Sequence, residues 1–454
     1  MQKERELFEK APVGKALATL AVPTIISQLI TMIYNLADTF FIGTTNDDSK
    51  IAAASLSFVL VFAMACLSNL FGVGGGSLIS RLLGERREAD AARVSSFSFY
   101  GSILAGAVYS VLTLVFMEPL LRLIGATDSS IGFAADYAFW VVVIGAVPST
   151  VSVTMSHLLR SVGYAKQASI GLGAGGVLNI LLDPLFMFVI LEPGNEVAGA
   201  AIATLISNVA VLVYFLVIFF LIRRKTVLSI SPTKVIPTRA HIGAVFAVGF
   251  PSAIGTLFAC LSNTVMNKLA SGYTDSAVAA IGVAKKIDML PMNVGMGLCQ
   301  GMMPLVAYNY AAGNYKRMKA FSDAARTAGI LFAIVCLVGF EFFAEPLIRI
   351  FINTDTAVPL GIDFLRILCI AVPLMILNFQ MNFTFQAMGM GKESLILSSM
   401  RQGIVNIPLL FLMNHFFGLY GIVWTQLISD LITTSVSIIL YRRAYGRLTR
   451  RINN

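Results

Sequence analysis

Glu118-Pro-Leu-Leu-Arg-Leu-Ile-Gly-Ala-Thr-Asp128 is followed 227 residues later by Glu345-Pro-Leu-Ile-Arg-Ile-Phe-Ile-Asn-Thr-Asp355. The echo extends well beyond this stretch. Asp136 and Asp363 keep the offset of 227, as do Gly176-Val-Leu-Asn-Ile180 and Gly403-Ile-Val-Asn-Ile407. Val162-Gly-Tyr-Ala-Lys-Gln167 meets Met388-Gly-Met-Gly-Lys-Glu393 at 226. Pro23 meets Pro251 and Asn35 meets Asn263, both at 228, while Leu205-Ile-Ser-Asn208 meets Leu427-Ile-Ser-Asp430 at 222. Shared order at near-constant spacing means that half the chain has been duplicated.

The material duplicated is membrane material. Of 454 residues, 57% are hydrophobic and 13% charged, against about 25% charged in ordinary soluble proteins. Mean hydropathy is +0.80. A water-soluble fold of this size could not hide so much apolar surface, so soluble, disordered and collagen-like classes are excluded. Five cysteines without CxxC spacing read as small buried hydrophobes rather than disulfides or metal ligands.

A helix needs about 20 apolar residues to cross the hydrocarbon core. Twelve such runs are expected, at 16–43, 52–80, 93–117, 131–154, 166–191, 197–222, 241–269, 277–308, 320–343, 358–384, 394–416 and 418–441. They are continuous and too long for barrel strands, which alternate over about ten residues. The first run is also too long for a cleavable signal and reads as an uncleaved span.

Lys and Arg set the expected orientation. Loops on one side, among them 81–93, 160–166, 223–239, 316–326, 392–401 and 442–451, carry 26 of the 33 basic residues, and the alternate loops carry four. That asymmetry puts both termini in the cytoplasm, with the cytoplasmic (inner) membrane as the expected location. It accounts for the +9 net charge through anionic lipid rather than nucleic acid. Six spans per repeat keep the halves parallel, related by a pseudo-two-fold axis along the membrane normal. The expected organisation is an all-α protein with a six-helix lobe at 1–225, a cytoplasmic linker at 226–240 holding Pro232 and Pro237, and a second six-helix lobe at 241–454.

Charges inside spans point to the work. A carboxylate at the bilayer centre costs about 2.5–3.5 kcal/mol on insertion scales. Asp38 follows Asn35 by three residues and Asp183 follows Asn179 by four, so each pair shares a helix face. Thr204 lies in the small-residue run Gly199-Ala-Ala-Ile-Ala-Thr204, which favours close helix approach. Asp38, Asn179, Asp183 and Thr204 are expected to converge in the first lobe. Two carboxylates in low dielectric do not both ionise comfortably, so the pair can exchange a proton, or Na⁺, against an organic cation. The plainer alternative is that each Asp caps a helix or bonds a neighbouring one; Asp183 precedes Pro184.

The second half lacks this acidity. Met266 stands where Asp38 would fall, and no carboxylate partners Asn406. Asp288 is expected to pair with Lys285, and Arg366 with Asp363, each three residues away. Asp430 faces either the cavity or a neighbouring helix, and with Asn35 and Asn263 it forms the set of substrate-cavity candidates. Pro23 bends the first span, as a gate or a static kink. Gly72-Val-Gly-Gly-Gly76 lacks the Lys-Ser/Thr of a phosphate loop and reads as helix packing. No HExxH, GxSxG or histidine cluster occurs, so no enzyme chemistry and no cofactor is expected.

These residues resemble the MATE (multidrug and toxic compound extrusion) family over essentially the whole chain. The carriers are Pro23, Asn35-Leu-Ala-Asp38-Thr-Phe-Phe-Ile-Gly43, Leu83-Gly84, Leu159-Arg-Ser-Val-Gly163, Asn179-Ile-Leu-Leu-Asp183-Pro184, Gly199–Thr204 and the repeat. The resemblance implies a V of two six-helix lobes and antiport of lipophilic organic cations against H⁺ or Na⁺. It implies that Asp38, Asn179, Asp183 and Thr204 form the coupling site and that Pro23 is the bending point. Family members of the NorM type carry acids in spans seven and ten. Here span seven reads Asn263-Thr-Val-Met-Asn-Lys268 and span ten has only Asp363 near its outer end. The chain therefore looks more like the DinF and MepA branches, with first-lobe coupling to H⁺ and Na⁺ as the alternative. Drug-like cations and membrane lipids are the expected partners, and a monomer the expected state. A lipid-linked oligosaccharide flippase of the wider superfamily and a membrane-embedded transferase are the competing functions.

Overall fold

The structure, a computed structural model, describes residues 6–45, 47–235, 237–352 and 354–453, without the side chains of Asp48 and of residues after Gly446. Lys3 and Arg5, the side chains of Arg447, Arg450 and Arg451, Ile236 of the linker and Asn353 of the repeat lie outside the described residues.

In hydrocarbon each backbone N–H and C=O must be paired within its own segment, which favours helices. In the first half, α1 is Val13–Gly43, α2 Asp48–Gly84 and α3 Glu88–Val115. The next three are α4, a broken pair Ile131–Ile144 and Ala146–Ser161, then α5 Ala165–Ile190 and α6 Glu196–Ile222. In the second half, α7 is Arg239–Ala270, α8 Asp275–Ala311, α9 Tyr315–Arg349 and α10 Ala357–Ala387. Helix then runs from 391 to 453, interrupted at Gly418, where φ is 59° and ψ −141°. That left-handed geometry suits glycine and divides the run into α11 (391–417) and α12 (419–453).

Among the described residues, nine helices are long and apolar enough to cross a membrane, and the bent pair of α4 makes ten. The Gly418 break turns one of these into two. The twelfth is α8, which is 37 residues long but interrupted by Lys285, Lys286 and Asp288. One feature of α4 was not expected: its two parts meet at 53°, through a π-helical turn at Phe139–Ile144.

Packing between the halves runs α1 against α8 and α2 against α7. Glycines permit it. A Cβ on Gly249 would overlap the Leu70 carbonyl oxygen, one on Gly74 that of Val245, and one on Gly301 the Ala21 backbone. Leu17 and Leu20 of α1 share one buried cluster with Met302 and Leu305 of α8 and Phe385 of α10. Side chains add ties: Asn69 Nδ2 donates to Thr256 Oγ1 at 3.0 Å, and Ser77 Oγ to the Gln386 carbonyl at 2.6 Å. Most of these lie in the half of the membrane next to the loops rich in Lys and Arg, hereafter the basic side, and the Asn69–Thr256 bond lies near mid-span. At the opposite side each lobe is tied to itself. Lys50 Nζ meets Glu196 at 2.7 Å, and the Tyr273 hydroxyl meets Asn414 at 2.6 Å. The lobe-to-lobe contacts named above thus gather toward the basic side.

The basic side carries a further closure. The single turn Glu6–Lys10 lies across the seam. Phe8 is fully buried and stacks on Tyr308 at 5.0 Å and 13°. Its carbonyl accepts from Asn309 Nδ2 at 3.2 Å and Arg317 Nε at 2.8 Å. Glu9 accepts from the Tyr308 hydroxyl at 2.5 Å and from Arg86 at 3.2 Å. The linker also packs rather than hanging free. Val227 and Leu228 join the first-lobe core, and the Ser229 carbonyl accepts from Ser95 and Ser96 hydroxyls at 2.9 and 3.0 Å.

Candidate functional site: a buried acidic cluster

The residues Gly173, Gly175 and Gly176 of α5 let it approach its neighbours closely. A Cβ at Gly176 would meet Ile30 and Tyr34 of α1 at 3.0 and 3.1 Å, and one at Gly199 would meet the Met187 backbone at 2.9 Å. Three helices are thereby drawn together around the polar residues they carry.

Asp38 is 5% exposed, Asn179 3% and Asp183 0%. Asn179 Nδ2 donates to Asp183 Oδ1 at 3.1 Å and to Thr204 Oγ1 at 3.2 Å. Asp38 lies close enough to Asp183 for their charges to interact. Three acceptor oxygens in this cluster, Asp38 Oδ1, Asn179 Oδ1 and Asp183 Oδ2, are buried without a hydrogen-bond donor. Buried acceptors are normally paired, so the cluster has room in its bonding for a proton or a small hard cation. α5 continues past Pro184, which offers no N–H to its ladder, and finishes in a π-helical turn, Phe186–Ile190.

Two members escaped the sequence reading. Tyr34 sits one turn before Asp38 and within charge range of both carboxylates. Tyr137, 5% exposed, lies beside Thr204 and within range of the same pair. The spacing of four between Tyr34 and Asp38 was available as a signal; nothing local marks Tyr137. Asn35 is half-buried on the neighbouring face of α1. Pro23 stands within α1, which stays helical from end to end.

Several expectations for the second lobe need correcting. Asp430 is 0% exposed and does not face the cavity. Arg401 Nε holds its Oδ1 at 2.6 Å, Gln426 Nε2 donates to Oδ2 at 2.9 Å, and Asn378 Nδ2 donates to Oδ1 at 3.2 Å. Arg401 is no loop cation: it is 8% exposed, within the π-helical turn of α11. A buried carboxylate needs a charged partner, and the guanidinium supplies it. Arg160, also counted with the loops, is 3% exposed. Arg366 pairs with Glu341 at 3.4 Å rather than with Asp363, whose carboxylate accepts from the Tyr420 hydroxyl at 2.8 Å. Lys285 and Asp288 lie within charge range of each other, as expected, although among the described residues they make no direct ion-pair contact. Asn263 is exposed along α7, on the wall of a small second-lobe cavity.

The MatE family pattern matches residues 23–185 and 251–412, one copy in each repeat. The chain belongs to the MatE family. A MatE relative, the multidrug export protein MepA of Staphylococcus saprophyticus, is 33% identical over 442 residues, covering 97% of this chain and 96% of that protein. Two solved MATE structures share the fold. One in complex with MaL6 superposes with a TM-score of 0.92 at 24% identity, covering 99% of this chain and 100% of that one. An outward-facing multidrug resistance MATE transporter does so at 0.90 and 24% identity, covering 99% of each. The all-α MatE architecture and the multi-pass membrane character of this chain are therefore shared with transporters.

Proposed function

We propose that this chain is a secondary multidrug exporter, moving lipophilic organic cations out of the cell in exchange for H⁺. Support for export comes from membership of the MatE family and from the MepA likeness along nearly the whole chain. Coupling rests on the three unpaired acceptor oxygens of Asp38, Asn179 and Asp183. A proton arriving there satisfies one carboxylate and removes the attraction for a bound organic cation. Loss of that proton restores the attraction. Tyr34 and Tyr137 supply hydroxyls through which the proton can be passed. H⁺ is preferred to Na⁺ because a buried pair of carboxylates accommodates one proton without further ligands, whereas hard cations take about six oxygens.

In this reading the basic side is cytoplasmic, both termini with it, and the membrane is the inner one. The chain works as a monomer, each chain holding its own cleft. Pro23 lets α1 bend as the cluster gains or loses its proton. The driving force suffices. A unit charge crossing about 100 mV yields about 2.3 kcal/mol and a proton crossing one pH unit about 1.36 kcal/mol. A one-for-one exchange of H⁺ against a monovalent cation moves no net charge, so the pH term alone sustains roughly a tenfold gradient, and each further proton adds both terms, about 3.7 kcal/mol or roughly five-hundredfold.

The test is ethidium export from liposomes under an imposed pH gradient and, separately, an imposed Na⁺ gradient. Export is expected under the pH gradient and abolished in Asp38→Asn. Full export by Asp38→Asn, or export driven by Na⁺ alone, contradicts the reading.

A further inference from the structure

The second lobe holds a cavity of about 20 Å³. Its walls correspond to the acidic cluster at the repeat offsets. Met266 of α7 occupies the place of Asp38, and Leu410 of α11 that of Asp183. Phe364 replaces Tyr137 and Ser262 replaces Tyr34, so two phenols are reduced to one aliphatic hydroxyl. Asn406 keeps the place of Asn179, and Gln426 takes that of Thr204. Both carboxylates are gone.

A cation enters in their stead. Lys285 of α8, at the position where the first lobe has Ser57, lines the cavity. No other charged group does. Asp288 on the same helix, and Asp430 and Arg401, lie within charge range of it. Asp430 is already held by Arg401 at 2.6 Å. Polar groups accompany Lys285. The Ser262 hydroxyl donates to Asn406 Oδ1 at 2.7 Å, which leaves the Asn406 amide hydrogens directed elsewhere, and Asn263 stands exposed on the rim.

We infer that this cavity is an anion site. Lys285, with the side-chain amides of Asn406 and Asn263, takes a small monovalent anionic group. The volume exceeds the roughly 10–15 Å³ that one water requires, so a halide or one end of a carboxylate fits, and a bulky anion does not. An ammonium inside a span is expensive to maintain, and an anion in direct contact with it lowers that penalty. The repeat thus holds opposite polarities: acids in the first lobe for a cation, a lysine in the second for an anion. The anionic group comes either from solution or from the exported compound itself, which would then be a zwitterion.

Purified protein in neutral-lipid nanodiscs tests the site independently of export. Thermal unfolding is followed in sodium chloride and sodium acetate against sodium gluconate at equal ionic strength. A saturable rise of several degrees is expected for wild type and Lys285→Arg, and none for Lys285→Gln or Lys285→Met. If those neutral variants fail to fold, Met266→Glu puts a carboxylate on the facing wall and is expected to abolish the same response. A second arm compares liposome export of a rhodamine bearing a free carboxylate with that of its ethyl ester. A saturable salt response that disappears in Lys285→Gln identifies a free anion. A fivefold or larger drop in the acid-to-ester export ratio in Lys285→Gln identifies the substrate's own carboxylate. Wild type and variants that match in both arms overturn the inference.

Discussion

Asn179 gives one amide hydrogen to Asp183 and the other to Thr204, at 3.1 and 3.2 Å, so a single side chain orients the acid on its own helix and joins it to the next. Asp183 Oδ2 is left buried without a donor, and Asp38 lies within charge range of it. Asp183→Asn keeps the shape but replaces an acceptor with an amide. Proton-driven ethidium export is expected to fall at least tenfold, with protein yield and unfolding midpoint near wild type. Asn179→Ala removes the orienting amide and leaves both carboxylates. It is expected to lower export less than Asp183→Asn does, which a side-by-side liposome assay would read directly.

The pair formed by Arg401 and Asp430 makes a different kind of prediction. Removing one member of a buried pair strands the other and destabilises by about 3–5 kcal/mol, whereas removing both together is often neutral. Arg401→Met should therefore lower the unfolding midpoint sharply. Arg401→Met with Asp430→Leu should recover most of it. Equal midpoints for the single and double variants would show that the pair is not what holds α11 to α12.

At the lobe seam, Gly249 faces the Leu70 carbonyl with no space for a Cβ. Gly249→Val pushes α7 away from α2. Export is expected to drop tenfold or more, while each lobe keeps its own buried cluster. Crosslinking of cysteine pairs placed across α2 and α7 should weaken in parallel; unchanged crosslinking with full export would refute the tight-seam account.

Phe8 fills the seam at the basic side, buried against Tyr308. Phe8→Ala removes a large buried ring, a change worth about 3–5 kcal/mol where the site cannot collapse. In a background free of native cysteines, a cysteine at Met303 is expected to react several times faster with a water-soluble maleimide in Phe8→Ala than with Phe8 present. Equal rates would mean that Glu6–Lys10 plays no part in closing that side.

Much of this was readable from the chain. Long apolar runs and the repeat demanded twelve helices in two like-oriented halves, because period and length survive whatever the packing. Asp38 and Asp183 stood out because unpaired acids in hydrocarbon are costly, and Asn179 because it shares a helix face with Asp183. Arg401 was misjudged for a related reason: a cation near a span end looks like loop sequence until its acid, 29 residues later, is seen to reach it. Arg366 chose Glu341 over Asp363 because contacts between helices, invisible to spacing, outcompeted the i,i+3 partner. Tyr137 was hidden because it reaches the cluster from another helix, α4, at no spacing that the sequence could mark.

Val227 and Leu228 are bound into one core, Ser229 is held by α3, and the turn Pro232–Lys234 packs on α3 too, which leaves the stretch 235–238 as the leash between the lobes. Four residues extend at most about 13–14 Å, and Pro237 stiffens them. Such a short tether permits rocking but discourages one half from trading partners with the other half of a neighbouring molecule, so each polypeptide stays wedded to its own twin.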